Sequence, residues 1–211
     1  MQEFMATSER RAELYGWFAT LFAAPLEDEQ IAEYDSYDGR SFLKSLATLD
    51  PMRGAVAELN GAIAPLLLEP TRQQMLAHHF ATLFLNGDPV SAPPQESAYR
   101  EQAASLMQQR LDRLALPMLA EVSLGSDHLA SQLALMNQLI LCAVQTDEVA
   151  SRQIWLTEQT ALLNEHLLRW IEPFERRCHE HDHSGFYRSC AALLKVFLQM
   201  DDNYLTLCQA E

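Results

Sequence analysis

The most chemically suggestive pair of residues in this chain is Asp127 and His128, which stand side by side in GSDHLASQLALM. A polar loop is predicted to end there and an apolar helix to begin. Ser126 or Asp127 can cap that helix by accepting hydrogen bonds from its first N–H groups, while His128 packs and bonds a nearby carbonyl. Alternatively, the acid and the imidazole can line a groove and hold a cationic or hydrogen-bonding peptide segment. The residue types alone leave both interpretations open.

The other histidines are weaker indications of a metal site. His78 and His79 are adjacent, and adjacent residues point about 100° apart on a helix, so the two side chains diverge. His79 shares a helical row with Met75 and Leu83, which predicts that it faces inward. The run CHEHDH at 178–183 contains good zinc or nickel ligands, but it has no distant partner at ligand spacing. We therefore expect a solvated loop there and no metal site.

Sequence patterns typical of catalysis are missing. The chain has no G-x-S-x-G elbow, no G-x-x-x-x-G-K phosphate loop and no G-x-G-x-x-G turn. We therefore expect no catalytic residue and no enzyme activity. One alternative from another class stays open, namely an all-α, metal-dependent phosphohydrolase that uses His78, His79, Asp127 and His128. The His-Asp order that is usual for such enzymes is reversed in this sequence.

The composition restricts the partners that the chain can bind. Its 211 residues include 15 Lys+Arg against 29 Asp+Glu, a formal net charge of −14. Such a surface repels nucleic acid and anionic lipid and attracts basic peptides. No apolar run approaches the roughly 18 residues that span a bilayer. The four cysteines include no C-x-x-C pair, so we expect reduced thiols in a cytoplasmic protein.

Hydrophobic periodicity predicts an all-α fold of about ten helices. Irregular segments divide the chain into an N-terminal helical half, 1–114, a linker, 115–126, and a C-terminal helical half, 127–211. The later turns of the helix after Asp127 are apolar on all sides, which is typical of a helix at the centre of a bundle. Pro173 is expected to begin a separate short helix. Helical halves joined by a long linker can exchange between chains, so we expect a monomer or a homodimer in which domain swapping is a hazard.

The paired arginines near the N-terminus superficially resemble a twin-arginine export signal. Arg10 and Arg11 precede an apolar stretch, but Glu9 and Glu13 flank the pair. The apolar residues that follow recur at helical spacing, which favours an amphipathic first helix over an export signal.

Four stretches of the chain resemble the TorD/DmsD family of molybdoenzyme maturation chaperones. They are YGWFATLFAAPLEDEQ, FATLFLNGDPVSAPPQESAYR, GSDHLASQLALMNQL and CHEHDHSGFYRSCAALL, and they follow the family order from about residue 13 to residue 202. The resemblance implies an all-helical cytoplasmic chaperone of anaerobic respiration. It would bind the twin-arginine signal peptide and the cofactor-free body of an exported molybdoenzyme, with trimethylamine N-oxide reductase as the expected client. Its work would be to assist insertion of the molybdenum cofactor before export.

The resemblance also implies a binding site. The family's Asp-His pair, implicated in partner recognition, corresponds to Asp127 and His128. Family members often have Asp at the position of His79, so this chain lacks one negative charge of the expected groove. The family is linked to guanine-nucleotide binding, but the usual loop is missing, so we expect no cofactor beyond, at most, such a nucleotide. The residues expected to bind the partner are Asp127, His128, Ser126, His79, Phe84, Pro93, Glu96, Ser97 and Tyr99.

Overall fold

The computed structural model of the chain describes residues 2–87, 91–114, 116 and 124–210, with side chains to residue 208. Within these ranges the chain is helical and has no β-strand, apart from an isolated antiparallel bridge between Gln95 and His128. The α-helices are α1 Gln2–Ala23, α2 Asp28–Glu33, α3 Tyr37–Leu46, α4 Arg53–Leu68, α5 Arg72–Phe80, α6 Ala103–Leu114, α7 Leu129–Gln145, α8 Val149–Leu162, α9 Leu168–His181 and α10 Phe186–Ala210. The prediction of an all-α fold with about ten helices is confirmed.

Short 3₁₀ and π turns connect or extend some of these helices. The 3₁₀ turns are Asp50–Met52 and Glu96–Ala98, and the π turns are Ala81–Leu85 and Leu163–Leu167. The second π turn joins α8 to α9, so residues 149–181 form one continuous helix. The prediction that Pro173 begins a separate helix is wrong, because Pro173 lies inside α9. A proline there removes the N–H that would bond the carbonyl four residues earlier, but it does not end the helix.

The described residues cluster into two compact units, each built from stretches that are separate in sequence. The first unit lies within 1–23, 94–170 and 201–211, and the second within 24–93 and 171–200. The expected linker falls largely outside the described residues, at 115 and 117–123. The expected halves 1–114 and 127–211, and the expected domain swapping, therefore stay predictions.

Helix α7 forms the centre of the first unit. It packs along α1 and against α8. Side chains on every side of it are buried, including Leu129, Leu133, Leu135 and Leu139. This burial fits the central position expected from the apolar sequence, although Leu141, Cys142 and Val144 of the later turns are only half-buried. None of the helices in the described ranges combines the length and the apolar composition that crossing a bilayer requires.

A buried ion pair between Arg11 and Asp201 links α1 to α10 within the first unit. Arg11 Nη2 donates to Asp201 Oδ2 at 2.9 Å and to Gln159 Oε1 of α8 at 3.0 Å. The Tyr15 hydroxyl donates to the same Asp201 oxygen at 2.7 Å. Burial and the nearby carboxylate raise the pKa of Tyr15 well above its usual value, so the hydroxyl remains a donor. Arg11 thus has a structural partner, in line with the amphipathic helix expected from the sequence.

An aromatic cluster forms part of the core of the second unit. The Phe84 ring lies 5.0 Å from Phe80, 5.2 Å from Tyr187 and 6.1 Å from Phe174, measured between ring centroids. These edge-on and stacked contacts are favoured arrangements of aromatic rings. Phe84, which the family resemblance assigned to partner binding, is therefore a buried core residue of the second unit.

Candidate functional site

Residues 94–97 pair with residues 127–129 at the start of α7, and we call this pairing the joint. Both segments belong to the first unit. At one end of the joint the Leu129 N–H donates to the Pro94 carbonyl at 2.7 Å. Gln95 and His128 have extended backbone, and each is followed directly by a helical segment: the 3₁₀ turn Glu96–Ala98 and α7. The joint therefore brings together four of the residues that the sequence singled out.

Asp127 holds the joint together through both its backbone and its side chain. Its carbonyl accepts from the Glu96 N–H at 3.0 Å, and its Oδ2 accepts from the Ser97 N–H at 2.9 Å. The residue is only 5% exposed. A buried carboxylate needs hydrogen-bond donors, and here a backbone N–H supplies one. The carboxylate thus faces residue 97 and does not cap α7.

His128 is the residue that caps α7. Its Nδ1 accepts a hydrogen bond from the Ala130 N–H at 3.1 Å. The expectation that Ser126 or Asp127 provides the cap is wrong, since the Ser126 hydroxyl donates instead to the Ala104 carbonyl at 3.2 Å. An imidazole can accept at Nδ1 only when that nitrogen is unprotonated.

The electrostatics of His128 agree with this role. Burial lowers its pKa to about 4, and the charge of Asp127 opposes the shift without cancelling it. His128 is therefore a neutral cap at physiological pH. Because Asp127 and His128 are only 5% and 4% exposed as residues, neither is presented to solvent in this structure. Direct contact between either side chain and a partner requires the joint to open.

Glu96 is the charged centre of the first unit. It is fully buried, and its carboxylate pairs with Arg100. Its Oε2 also accepts from Gln132 Nε2 at 2.6 Å and lies 2.8 Å from His166 Nδ1. A carboxylate only accepts hydrogen bonds, so His166 Nδ1 carries the proton in this contact. Gln132 also connects Glu96 to Trp170, because its Oε1 accepts from the Trp170 indole N–H at 3.1 Å.

Sequence reasoning selected Glu96 but missed its partners. Gln132 is a polar residue in a largely apolar helix, which is a usable sign of a buried hydrogen-bond network. His166 lies in the π turn 163–167, and π turns often occur at functional positions. The sequence contains no local indication that either residue contacts Glu96, because both lie at least 36 positions away along the chain.

The remaining predicted residues are distributed over both units. In the first unit Ser97 is exposed and Tyr99 packs against Trp170, with ring centroids 5.4 Å apart. Pro93 and His79 belong to the second unit, where both are half-buried. His79 is less exposed than His78, as its helical row predicted.

The CHEHDH run does not form a loop along its whole length. Helix α9 continues to His181, so the loop prediction is wrong for residues 178–181. Cys178 is buried, and burial raises the pKa of its thiol well above the usual value. Asp182 is buried as well and accepts from the Ser184 N–H at 2.8 Å and the Arg188 N–H at 2.9 Å, which fixes the start of α10.

Metal-binding potential is low across the part of the chain that the structure covers. Within it, no three His, Cys, Asp or Glu side chains are grouped so that they could hold an ion. The four cysteines are all free thiols.

Comparison with known proteins identifies the class to which this arrangement belongs. Residues 47–176 match the family described as the nitrate reductase delta subunit. The chain is 56% identical to the chaperone protein TorD of Aeromonas salmonicida, over 98% of this chain and 96% of that one. It is 33% identical to the chaperone protein TorD of Vibrio cholerae serotype O1, and 32% identical to that of Vibrio vulnificus, with at least 96% of each chain covered. The chain belongs to the TorD family of chaperones, within the nitrate reductase delta subunit group.

Proposed function

We propose that this protein is a cytoplasmic maturation chaperone for an exported molybdoenzyme and has no catalytic activity of its own. The observation that carries the proposal is the 56% identity to a TorD chaperone across nearly the full length of both chains. The client that we propose is trimethylamine N-oxide reductase. The chaperone would bind the twin-arginine signal peptide and the cofactor-free enzyme, and release them for export after the molybdenum cofactor is inserted.

The charge of the chain supports binding of a signal peptide with a basic start. The formal net charge of −14 attracts such a peptide over long range and accelerates the encounter. Exposed charges are screened by salt, with a Debye length of about 8 Å at physiological ionic strength. The electrostatic part of the binding should therefore decline with salt, while the part that comes from apolar contacts remains.

We propose that Asp127 and His128 act in recognition by positioning other residues. Asp127 holds Ser97, and His128 caps α7. Together they fix the exposed residues Ser97 and Ala98 next to the start of α7. A partner that contacts this exposed turn would thus depend on two side chains that it does not touch.

The test is a calorimetric titration of the protein with the signal peptide of the reductase precursor at two salt concentrations. A matched peptide carries Gln in place of both arginines. We expect the native peptide to bind more tightly at low salt and to retain measurable affinity at high salt. Equal affinity for the two peptides at both salt concentrations would rule out recognition of the twin-arginine sequence.

The alternative of a metal-dependent phosphohydrolase has no observation in its favour. It requires several acidic or imidazole ligands around one ion, and no such group occurs among the residues that the structure describes. Two of its four proposed ligands already accept hydrogen bonds from backbone N–H groups, Asp127 from Ser97 and His128 from Ala130.

A further inference from the structure

A cavity in the first unit is rich in basic side chains, although the chain as a whole is strongly acidic. Its volume is about 740 Å³, and four arginines line it: Arg100, Arg110, Arg113 and Arg169. These are four of only 15 Lys+Arg residues in a chain of net charge −14. One acidic side chain, Glu165, is part of the same lining. A basic cavity in so acidic a chain indicates an acidic ligand, whereas the signal peptide begins with basic residues.

Two arginines that line the cavity already bind a carboxylate of the chain itself, that of Glu158. Glu158 accepts from Arg110 Nη1 at 2.8 Å and from Arg113 Nη2 at 2.8 and 3.0 Å. Arg110 also pairs with Glu165, and its own side chain is only 6% exposed. Guanidinium groups bind carboxylates through paired N–H donors, and this geometry is specific as well as strong. Arg110 is thus neutralised and held in place by the chain itself.

Two other arginines of the cavity retain donors for an external ligand. Arg113 uses only its Nη2 in the contacts with Glu158, and its side chain is 61% exposed. Arg169 is exposed and donates its Nε to the Asn164 carbonyl at 3.0 Å. No carboxylate among the described residues forms an ion pair with Arg169. Arg169 therefore carries a positive charge that no carboxylate of the described residues balances, and Arg113, although paired with Glu158, keeps further N–H donors for a ligand.

We propose that this cavity binds an acidic segment of the client protein, through carboxylates that bridge Arg113 and Arg169. This inference rests on the proposed function, because it takes the ligand to be part of a protein client. The cavity has the size of a small-molecule site and can accept a few side chains. Its charge repels the twin-arginine start of a signal peptide, so it would recognise a part of the client other than the signal peptide. The chaperone would then hold one client at two places of opposite charge.

The first experiment measures the chemistry of the cavity directly. Capped hexaglutamate is titrated into the full-length protein by calorimetry, with capped hexaglutamine as the neutral control. The test variant carries Arg113→Gln and Arg169→Gln. The matched control carries Arg40→Gln and Arg53→Gln, which remove the same charge from two residues of the second unit whose side chains are 67% and 65% exposed.

We expect hexaglutamate to bind the wild type and the control variant equally, and the test variant at least tenfold more weakly. Equal binding to all three proteins would overturn the proposal, because Arg113 and Arg169 would then contribute nothing. Equal weakening in both variants would overturn it as well, because the effect would then come from net charge alone. A competition experiment with inorganic phosphate gives a further outcome. If phosphate displaces hexaglutamate at a concentration below that of the peptide, the proposal is overturned and the cavity is assigned to a small oxyanion.

A second experiment separates this inference from the proposed function. The wild type and both variants are titrated with cofactor-free reductase from which the signal peptide has been removed. A tenfold loss confined to the Arg113→Gln, Arg169→Gln variant would support the inference. Unchanged binding by that variant would overturn it and leave the proposed function intact. If the wild type does not bind the reductase in any form, the proposed function fails, and the inference fails with it.

Discussion

The carboxylate of Glu96 and the imidazole of His166 lie 2.8 Å apart, Oε2 to Nδ1, in the interior of the first unit. Glu96 is part of the joint, and His166 lies in the π turn between α8 and α9. The contact thus ties the joint to the middle of a long helix. Since Arg100 and Gln132 bind the same carboxylate, one acidic side chain organises three elements.

Removal of this carboxylate should destabilise the fold strongly. Glu96→Ala leaves Arg100, Gln132 and His166 without their shared partner, and breaking a buried pair by removing one member costs about 3–5 kcal/mol. We expect a loss of that size in the free energy of unfolding, measured by urea denaturation. Glu101→Ala, at an exposed position nearby, is the control and should change stability by less than about 0.5 kcal/mol. A loss for Glu96→Ala as small as that of the control would contradict the role of Glu96.

The cap formed by His128 should make stability depend on pH. Its pKa is about 4 in the folded protein and about 6.5 in the unfolded chain, so only the unfolded state takes up a proton between these values. The contribution of neutral His128 is therefore complete above pH 6.5 and is lost as the pH falls toward 4. It amounts to about 3 kcal/mol for this shift.

The measurement compares wild type with His128→Asn in urea denaturation from pH 4 to pH 7. Asparagine can cap a helix but does not titrate in this range. We expect the variant to lose about 3 kcal/mol less than the wild type as the pH falls. Identical pH profiles for the two proteins would show that His128 is not a buried neutral cap.

Two substitutions of Asp127 distinguish positioning from direct charge recognition. Asp127→Asn keeps a side-chain oxygen that can accept from the Ser97 N–H, whereas Asp127→Ala removes it. If Asp127 acts by positioning, we expect Asn to retain most reductase activation in cells and Ala to lose most of it. Helical circular dichroism should stay intact in both variants. Equal loss of activation in both variants, with intact dichroism, would instead indicate that the partner reads the negative charge.

The Arg11–Asp201 pair allows a test of the buried polar core. Asp201→Ala leaves a buried guanidinium uncompensated and should cost about 3–5 kcal/mol in the free energy of unfolding. The double variant Arg11→Met, Asp201→Leu removes both charges and should recover most of that loss. Thermal unfolding of the two variants provides the comparison. A double variant less stable than Asp201→Ala would show that the pair contributes more than its desolvation costs.

The helices could be predicted because their information is local. The apolar residues of α1 and α5 recur with the helical period, and the loops contain the prolines and glycines that end helices. Pro173 was misjudged for a reason that is not local. A helix tolerates an internal proline when the surrounding packing stabilises it, and that packing cannot be read from nearby residues.

The site was predicted in part, and the errors have the same origin. Asp127 and His128 were correctly singled out, but the cap was assigned one residue too early. The Asp127 carboxylate accepts a hydrogen bond from the backbone N–H of Ser97, 30 positions away, and His128 caps α7 instead. The Glu96 network and the arginine cavity likewise depend on contacts between distant parts of the chain. Only residue types such as Gln132 in an apolar helix indicate such contacts from the sequence.

The most direct test of the proposed function is binding to the purified precursor of trimethylamine N-oxide reductase in two states, cofactor-free and cofactor-loaded. Complex formation is measured by calorimetry with the full-length chain and the full-length precursor. The proposed function predicts a stoichiometric complex with the cofactor-free precursor and at least tenfold weaker binding to the loaded one. No complex with the cofactor-free precursor, or equal affinity for the two states, would contradict it.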